Sequence, residues 1–292
     1  MPYIQNRRRL NIYYEVINAE KQLPPLIFVH GFGSSLSMFA HQITALQPYF
    51  RLILFDAEGH GKSEKAEDDL QENLVKNILN DLILVLDSLE IRENIGIIGH
   101  SLLGTGVAIS YTSIFPQKVD FLILLNGGLL RLDSAIRNIF WNLLPQFTRM
   151  NFNELAQTQF DLILEKTIPF IIMALADENA NKLSNSDKIG QKIKDELYDL
   201  MAIEVDTSQI NCPVLIIGAE LDNFAPLYMS KELKKKISDA ELNIITMAGH
   251  FGLNHRYKAY NKHIIEFLKN HHLIQEVRSE ERRVGKECRS RW

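Results

Sequence analysis

Six short apolar runs separated by helical patterns constrain the fold of this chain more than any other feature. They are PLIFVH (25–30), RLILFD (51–56), NIGIIGH (94–100), DFLILLN (120–126), PVLIIGA (213–219) and LNIITM (242–247). Continuous runs rich in Val, Ile and Leu are typical of strands that are buried on both faces of a parallel sheet. Amphipathic patterns alternate with these runs, at residues 70–89, 102–115 and 257–270. The alternation predicts an α/β fold with a doubly wound, mostly parallel sheet, and the first 20 residues predict an antiparallel hairpin at one edge.

The alternation breaks after the fourth run, where the sequence shows helical periodicity and no convincing strand. This insertion predicts a helical cap over the sheet, so we divide the chain into an α/β core (1–128 and 207–277) and a cap (129–206). Ligands bind outside the carboxyl ends of the strands in open α/β sheets. We therefore expect a few large side chains of the cap to face a pocket at that edge, and the candidates are Phe140, Trp141 and Phe147.

The last fifteen residues, RSEERRVGKECRSRW (278–292), are basic and lack any periodicity. Read back into codons, they match a common sequencing adapter. We therefore expect this tail to be non-native and exclude it from fold prediction, with a natural basic tail as the alternative.

Composition argues against several classes of function. The net charge of −4 and the scattered lysines give no basic patch for nucleic acid. We see no apolar run long enough for a membrane span, and the N-terminus lacks the apolar run of a secretory signal. Two cysteines, Cys212 and Cys288, cannot form a disulfide framework or a metal cluster. We expect a cytoplasmic protein without metal or cofactor, and the sequence does not indicate its oligomeric state.

A glycine-rich turn, IIGHSLLGTG (97–106), makes Ser101 a candidate nucleophile. The serine lies between a buried strand and a helix, and Gly99 would relieve crowding in a tight turn that lifts the hydroxyl above the sheet edge. The alternative is an ordinary serine in a strand-to-helix turn. A serine hydroxyl is a poor nucleophile at neutral pH, so catalysis requires a base, an acid that orients the base, and donors for the oxyanion.

Candidates for the base and the acid follow the last two apolar runs. The segment MAGHFGLNH (247–255) supplies His250 as the base, with His255 as its nearest rival. The segment GAELD (218–222) supplies Asp222 as the orienting acid, with Glu220 as the alternative. These candidates occur in the order Ser, Asp, His along the chain.

Two backbone N–H groups are the candidate oxyanion donors. One belongs to Leu102 at the start of the helix, and the other to Phe32 in the loop FVHGFGSS (28–35). We interpret His30 in that loop as a structural turn residue. We also interpret the loop DAEGHGKS (56–63) as structural, because no second ligand cluster accompanies Asp56 and His60.

The segments HGFG, DAEGHGKS, GHSLLG, GAELD and AGHF, in this order, resemble the α/β-hydrolase fold superfamily over roughly residues 10–270. Within it, the chain resembles the capped serine hydrolases, which include esterases, lipases, C–C bond hydrolases and prolyl aminopeptidases. The resemblance implies Ser101 as the nucleophile, His250 as the general base and acid, Asp222 as its orienting partner, and Phe32 and Leu102 as oxyanion donors. Branches that carry an aspartate nucleophile, the epoxide hydrolases and haloalkane dehalogenases, match less well.

One position departs from the family pattern. The family usually has a small residue, most often glycine, two positions after the nucleophile, and this chain has Leu103. We expect the branched side chain to crowd the neighbouring strand or to force the turn open, which would move Ser101 or Leu102 away from ideal geometry.

These residues predict a serine hydrolase that acts on carboxylic esters of small to medium hydrophobic substrates through an acyl-enzyme. Phe251, directly after the candidate base, joins the cap aromatics as a candidate pocket residue. The same triad would also serve a C–C bond hydrolase, a lactonase or an amidase. A non-catalytic ligand-binding homologue is the remaining alternative, and Leu103 is the only feature that favours it.

Overall fold

A computed structural model of the chain describes residues 2–65, 74–128, 206–237 and 239–275. The cap and its candidate pocket residues Phe140, Trp141 and Phe147 lie outside the described residues, except for the last cap position, Asp206, and so does the whole tail. The division into core and cap therefore stays a prediction. Within the described ranges, no helix combines the length and the apolar character that a membrane crossing requires.

A mixed sheet forms the centre of the described structure. Its strands are β1 (Tyr3–Gln5), β2 (Asn11–Ile17), β3 (Pro25–Val29), β4 (Arg51–Phe55), β5 (Ile95–His100), β6 (Val119–Leu125), β7 (Val214–Ala219) and β8 (Glu241–Ile245). They are arranged in the order β1-β2-β4-β3-β5-β6-β7-β8. Strand β2 pairs antiparallel with both β1 and β4, and every other neighbouring pair is parallel. The predicted doubly wound, mostly parallel sheet with an antiparallel hairpin at one edge is confirmed.

Helices connect the strands and cover both faces of the sheet. They are α1 (Ala40–Leu46), α2 (Leu74–Ser88), α3 (Ser101–Ile114), α4 (Leu227–Lys236), α5 (Gly252–His255) and α6 (Tyr257–Asn270). Short 3-10 turns occur at Leu36–Phe39, Pro116–Lys118 and Thr207–Gln209. The three helices predicted from amphipathic patterns correspond to α2, α3 and α6.

Two apolar layers, one on each side of the sheet, form the core. Side chains of α2 and α3 pack in one layer, whereas side chains of α1 and α6 pack in the other. Successive residues of a strand point to opposite faces, so in β3 Ile27 belongs to the first layer and Phe28 to the second. Both faces are covered, and for that reason the parallel strands appear in the sequence as continuous apolar runs.

Candidate active site

The candidate residues lie at the carboxyl ends of four parallel strands, β3, β5, β7 and β8. The loops that follow β3, β5, β6, β7 and β8 all open at this edge of the sheet, because parallel strands end on the same side. The β3 loop carries Phe32, β5 ends directly before Ser101, and the loops after β7 and β8 carry Asp222 and His250. Topology therefore brings together residues that are far apart in sequence.

Ser101 occupies a sharp turn between β5 and α3. Its backbone has φ of 63°, in the left-handed region that non-glycine residues adopt rarely and that is enriched at functional sites. The turn is tightly packed: a Cβ added to Gly99 would lie 2.4 Å from the carbonyl oxygen of Gly104. The strand-turn-helix geometry places the half-buried serine at the sheet edge, as in a nucleophile elbow.

A continuous chain of hydrogen bonds joins Ser101, His250 and Asp222. The distance from Ser101 Oγ to His250 Nε2 is 2.9 Å, and that from His250 Nδ1 to Asp222 Oδ2 is 2.8 Å. Because a carboxylate only accepts, Nδ1 carries the proton and Nε2 is left to accept from the serine hydroxyl. Asp222 Oδ1 also accepts the backbone N–H groups of Phe224 and Ala225, at 2.9 and 2.8 Å, which fixes the orientation of the carboxylate.

The two rival candidates line a cavity beside His250, but the hydrogen-bonded chain from Ser101 runs through His250 and Asp222 instead. Glu220 is exposed, and its carboxylate accepts the backbone N–H of Met247 at 3.0 Å instead of reaching the imidazole of His250. His255 is exposed at the end of the short helix α5. The structure thus brings Asp222 and His250, rather than these alternatives, to Ser101.

Aromatic rings surround the imidazole of His250. The centroid of the Phe251 ring lies 5.2 Å from that of His250 in an edge-on arrangement, and the Phe224 ring lies 5.0 Å away. A cavity of about 500 Å³ borders His250 and Asp222, and both phenylalanines line it together with Arg256. Phe251 therefore lies beside the candidate base and lines this cavity, and its contact with a substrate stays a prediction.

The loop after β3 runs directly against Ser101. A Cβ added to Gly31 would lie only 2.7 Å from Ser101 Cβ, so this backbone approaches the serine as closely as glycine allows. Phe32 follows, with its side chain 44% exposed and its ring edge-on to His60 at 5.6 Å. Leu102 is the second residue of α3, and the first N–H groups of a helix have no acceptor within the helix.

His30 holds the β3 loop in place. Burial lowers the pKa of its imidazole to about 3, so the ring is neutral at neutral pH. Its Nδ1–H donates to the carbonyl of Gly31 at 2.8 Å, and its Nε2 accepts from the N–H of Ala57 at 3.0 Å. The ring bridges the β3 and β4 loops, in agreement with its interpretation as a structural residue.

The β4 loop is likewise organised by backbone hydrogen bonds. The two carboxylate oxygens of Asp56 accept the N–H groups of Leu36 and Lys62, at 2.7 and 2.8 Å. The Nδ1–H of His60 donates to the carbonyl of Glu58 at 2.9 Å. Among the residues that the structure describes, no group of His, Cys, Asp and Glu could hold a metal ion.

The expectation that Leu103 crowds the turn is wrong. Its side chain is 1% exposed and lies in the apolar layer formed with α2 and α3, and the hydrogen bond from Ser101 to His250 retains its length of 2.9 Å. The residue that approaches strand β3 most closely is Gly104, because a Cβ at this position would lie 2.3 Å from the carbonyl oxygen of Val29. Glycine is therefore required at 104, and leucine fits at 103.

Two further side chains contact His250 at this edge, and no local sequence pattern indicates either of them. Phe224 packs against the His250 ring, and Asn126, directly after β6, donates from Nδ2 to the carbonyl of His250 at 2.6 Å. The segment LNGG (125–128) indicates only a turn. The long-range contacts of Asn126 depend on the folded sheet.

Comparison with known proteins defines the family. Residues 24–169, half of the chain, match the sequence pattern of the alpha/beta hydrolase fold, and residues 201–279 match that of a TAP-like protein. The chain belongs to the α/β-hydrolase fold family. The family resemblance inferred from the motifs is confirmed.

Proteins similar to this α/β hydrolase have several named activities. It is 27% identical over 257 residues to "Putative carbamate hydrolase RutD" of Caulobacter sp. (strain K31), a match that covers 83% of this chain and 90% of that protein. It is 24% identical over 289 residues to 2-hydroxy-6-oxononadienedioate/2-hydroxy-6-oxononatrienedioate hydrolase 1 of Pseudomonas putida, covering 89% and 92% of the two chains. The crystal structure of the enol-lactonase from Burkholderia xenovorans LB400 shares the fold, with a TM-score of 0.69, 20% identity, and coverage of 92% of this chain and 100% of that chain. The family and the named relatives support hydrolase activity.

Proposed function

We propose that this α/β hydrolase cleaves carboxylic esters, with Ser101 as the nucleophile, His250 as the general base and acid, and Asp222 as the residue that orients His250. The observation that carries the proposal is the chain of hydrogen bonds from Ser101 Oγ through the imidazole to Asp222, with distances of 2.9 and 2.8 Å. Nucleophile, base and orienting acid within hydrogen-bond reach are the arrangement that activates a serine hydroxyl.

The reaction proceeds in two halves. As Ser101 Oγ attacks the ester carbonyl carbon, His250 Nε2 takes the hydroxyl proton, and the carbonyl oxygen becomes an oxyanion. When this intermediate collapses, the bond to the leaving oxygen breaks and His250 returns the proton to that oxygen, which releases the alcohol. A water molecule then attacks the acyl carbon and loses its proton to His250. His250 returns this proton to Ser101 Oγ as the bond from Oγ to the acyl carbon breaks, which releases the acid and regenerates the serine.

The backbone N–H groups of Phe32 and Leu102 are the proposed oxyanion donors. Support comes from the close packing of Gly31 on Ser101, which brings the loop before Phe32 to the nucleophile. Further support comes from the position of Leu102 in the first turn of α3, where the helix dipole favours negative charge. Removing a single oxyanion donor typically costs about 10²- to 10³-fold in kcat.

A small to medium hydrophobic substrate fits the apolar groups near the base. Phe224 and Phe251 flank the His250 ring, and the exposed ring of Phe32 lies on the loop that touches Ser101. The same acyl transfer applies to lactones and carbamates, and one named relative is a hydrolase of 2-hydroxy-6-oxononadienedioate and 2-hydroxy-6-oxononatrienedioate. The leading proposal remains an ester, because a triad of this kind cleaves esters without a further catalytic group.

The first test measures the hydrolysis of p-nitrophenyl esters of increasing acyl length by the full chain, beside a lactone, a carbamate and a dienoate. Ser101→Ala is expected to lower kcat by about 10³-fold or more, because the nucleophile is lost. Ser113→Ala, in the same helix, provides the matched control and is expected to retain activity. If Ser101→Ala hydrolyses esters as fast as the wild type, the assignment of the nucleophile is wrong.

A second pair of variants separates the two acidic candidates. Asp222→Asn is expected to lower kcat by about 10⁴-fold, because an amide in place of the carboxylate favours the wrong imidazole tautomer. Glu220→Gln is expected to change kcat little, because Glu220 contacts the backbone of Met247 and not His250. Equal losses in both variants would contradict the role of Asp222.

A further inference from the structure

The backbone carbonyl of His250 is held by two side chains from neighbouring strand ends. Asn126 Nδ2 donates to this oxygen at 2.6 Å, and His100 Nε2 lies 3.2 Å from the same oxygen. Asn126 Nδ2 also lies 3.3 Å from the carbonyl oxygen of Gly249. These hydrogen bonds act on the backbone of the proposed base and leave both of its ring nitrogens available to Ser101 and Asp222.

The amide of Asn126 is fixed in one orientation. Its backbone adopts φ of 48° directly after β6, and its N–H donates to the carbonyl of Ile217 in β7 at 2.8 Å. Its Oδ1 accepts the hydroxyl of Tyr260, a fully buried residue of α6, at 2.8 Å. Burial raises the pKa of Tyr260, so the phenol keeps the proton that it donates. Since Oδ1 faces Tyr260, Nδ2 faces His250.

His100 links the base to the nucleophile. It immediately precedes Ser101 and is 1% exposed, and burial holds the pKa of its imidazole well below the usual value. The ring is neutral, and because a carbonyl can only accept, Nε2 carries the proton that is donated to His250. The carbonyl of the base is thus tied to the residue next to the nucleophile.

The loop that carries His250 needs such a restraint. Its segment after β8 contains Met247, which is 65% exposed and adopts φ of 52°. A small shift of this backbone would lengthen the distance of 2.9 Å from Ser101 Oγ to His250 Nε2, and a misplacement of about 1 Å can cost about 10²-fold in rate. We propose that Asn126, assisted by His100, is a positioning residue that sets the distance between His250 and Ser101 through the carbonyl of His250. The inference rests on the proposed function of these two residues.

The primary test compares Asn126→Gly with Ser230→Ala. Glycine suits the positive φ at 126 and removes the donor to His250. Ser230 is a matched control, because its buried hydroxyl donates at 3.1 Å to the carbonyl of Gly127, one residue further along the chain. With p-nitrophenyl acetate, Asn126→Gly is expected to lower kcat by about 10- to 100-fold with KM changed by less than about 3-fold, whereas Ser230→Ala retains kcat.

A second readout needs no substrate. The proton shared by His250 Nδ1 and Asp222 is expected to give a far-downfield proton NMR signal in the wild type. This signal should shift or broaden in Asn126→Gly and stay in place in Ser230→Ala. The inference is overturned if Asn126→Gly retains both the signal and a kcat within about 3-fold of the wild type, or if kcat falls while the signal is unchanged. Labelling of the wild type, but not of Ser101→Ala, by a fluorophosphonate tests the proposed function separately.

A pair of variants at His100 keeps the inference testable if Asn126→Gly does not fold. His100→Gln retains an N–H donor near the position of Nε2, whereas His100→Leu fills the same buried space without a donor. We expect the glutamine variant to retain more of kcat and of the downfield signal than the leucine variant. Equal behaviour of the two variants in both measurements would overturn the proposed role of the carbonyl hydrogen bonds.

Discussion

Three glycines determine how closely the backbone packs around Ser101. A Cβ on Gly31 would meet the side chain of Ser101, and a Cβ on Gly99 or on Gly104 would meet a backbone oxygen at 2.4 or 2.3 Å. These distances are far below ordinary contact, so a larger residue at any of the three positions would displace the turn. The side chain of Leu103 points away from this crowded region, into the apolar layer.

Shortening Leu103 is therefore expected to destabilise the protein without relieving the turn. Leu103→Ala removes a buried side chain and leaves a cavity, which typically costs about 2–5 kcal/mol of unfolding free energy. Urea denaturation measures the loss, and titration of active sites with a fluorophosphonate gives kcat per folded enzyme, which we expect to stay near the wild-type value. Unchanged stability together with faster turnover would instead support crowding by the leucine.

At the scale of elements, two glycines of helix α3 differ in how closely they pack against their surroundings. Gly104 lies against the carbonyl oxygens of Val29 and His30 in the β3 region. Gly106, two residues further along the same helix, has only a methyl group of Val75 at 4.0 Å from an added Cβ. An alanine at position 106 therefore reports the helix propensity alone, whereas an alanine at position 104 also reports the close packing against β3.

Gly106→Ala is expected to stabilise the protein, and Gly104→Ala to destabilise it. Alanine is favoured over glycine inside a helix by about 1 kcal/mol, and the space at 106 accommodates the methyl group. At 104, the methyl group would lie 2.3 Å from a carbonyl oxygen, so the helix or β3 must move and kcat should fall as the Ser101 turn shifts. Unfolding curves and ester hydrolysis measure both effects. A stabilised and fully active Gly104→Ala would contradict the close approach.

The elements were more predictable from the sequence than their mutual contacts. Strand β3 is buried on both faces, so Ile27, Phe28 and their neighbours are all apolar. Such a continuous apolar run predicts the strand from the local sequence alone. The bond from Tyr260 to Asn126 joins positions 134 residues apart, and neither residue stands out locally. The turn at Ser101 was predictable in part. Its glycines indicated close packing, but the sequence pointed to residue 103 as the crowded position, and the structure shows that this position is Gly104.

At the scale of the whole molecule, a cluster of polar side chains connects the edge hairpin β1–β2 to helix α2 and to the β4 loop. Asp81 of α2 is 1% exposed, and its carboxylate accepts Asn6 Nδ2 at 3.0 Å and the N–H of Glu58 at 3.3 Å. The carboxylate of Glu58 binds Arg8 Nη1 at 2.7 Å. The turn between β1 and β2 is thereby joined to α2 and to the β4 loop.

This cluster should make stability depend on pH through Asp81. Burial, assisted by the charge of Glu58, raises the pKa of Asp81 from 3.8 to about 6. The folded protein therefore binds the proton more tightly than the unfolded chain, so this contribution is fully present below pH of about 4 and is lost as pH rises through about 6. A shift of about two pKa units corresponds to ~3 kcal/mol.

The variant Asp81→Asn tests this dependence, because asparagine cannot titrate. Its unfolding free energy relative to the wild type is expected to rise by about that amount between pH of about 4 and about 7. Urea denaturation at several pH values measures the difference. A constant offset for Asp81→Asn over this pH range would show that Asp81 titrates alike in the folded and unfolded states.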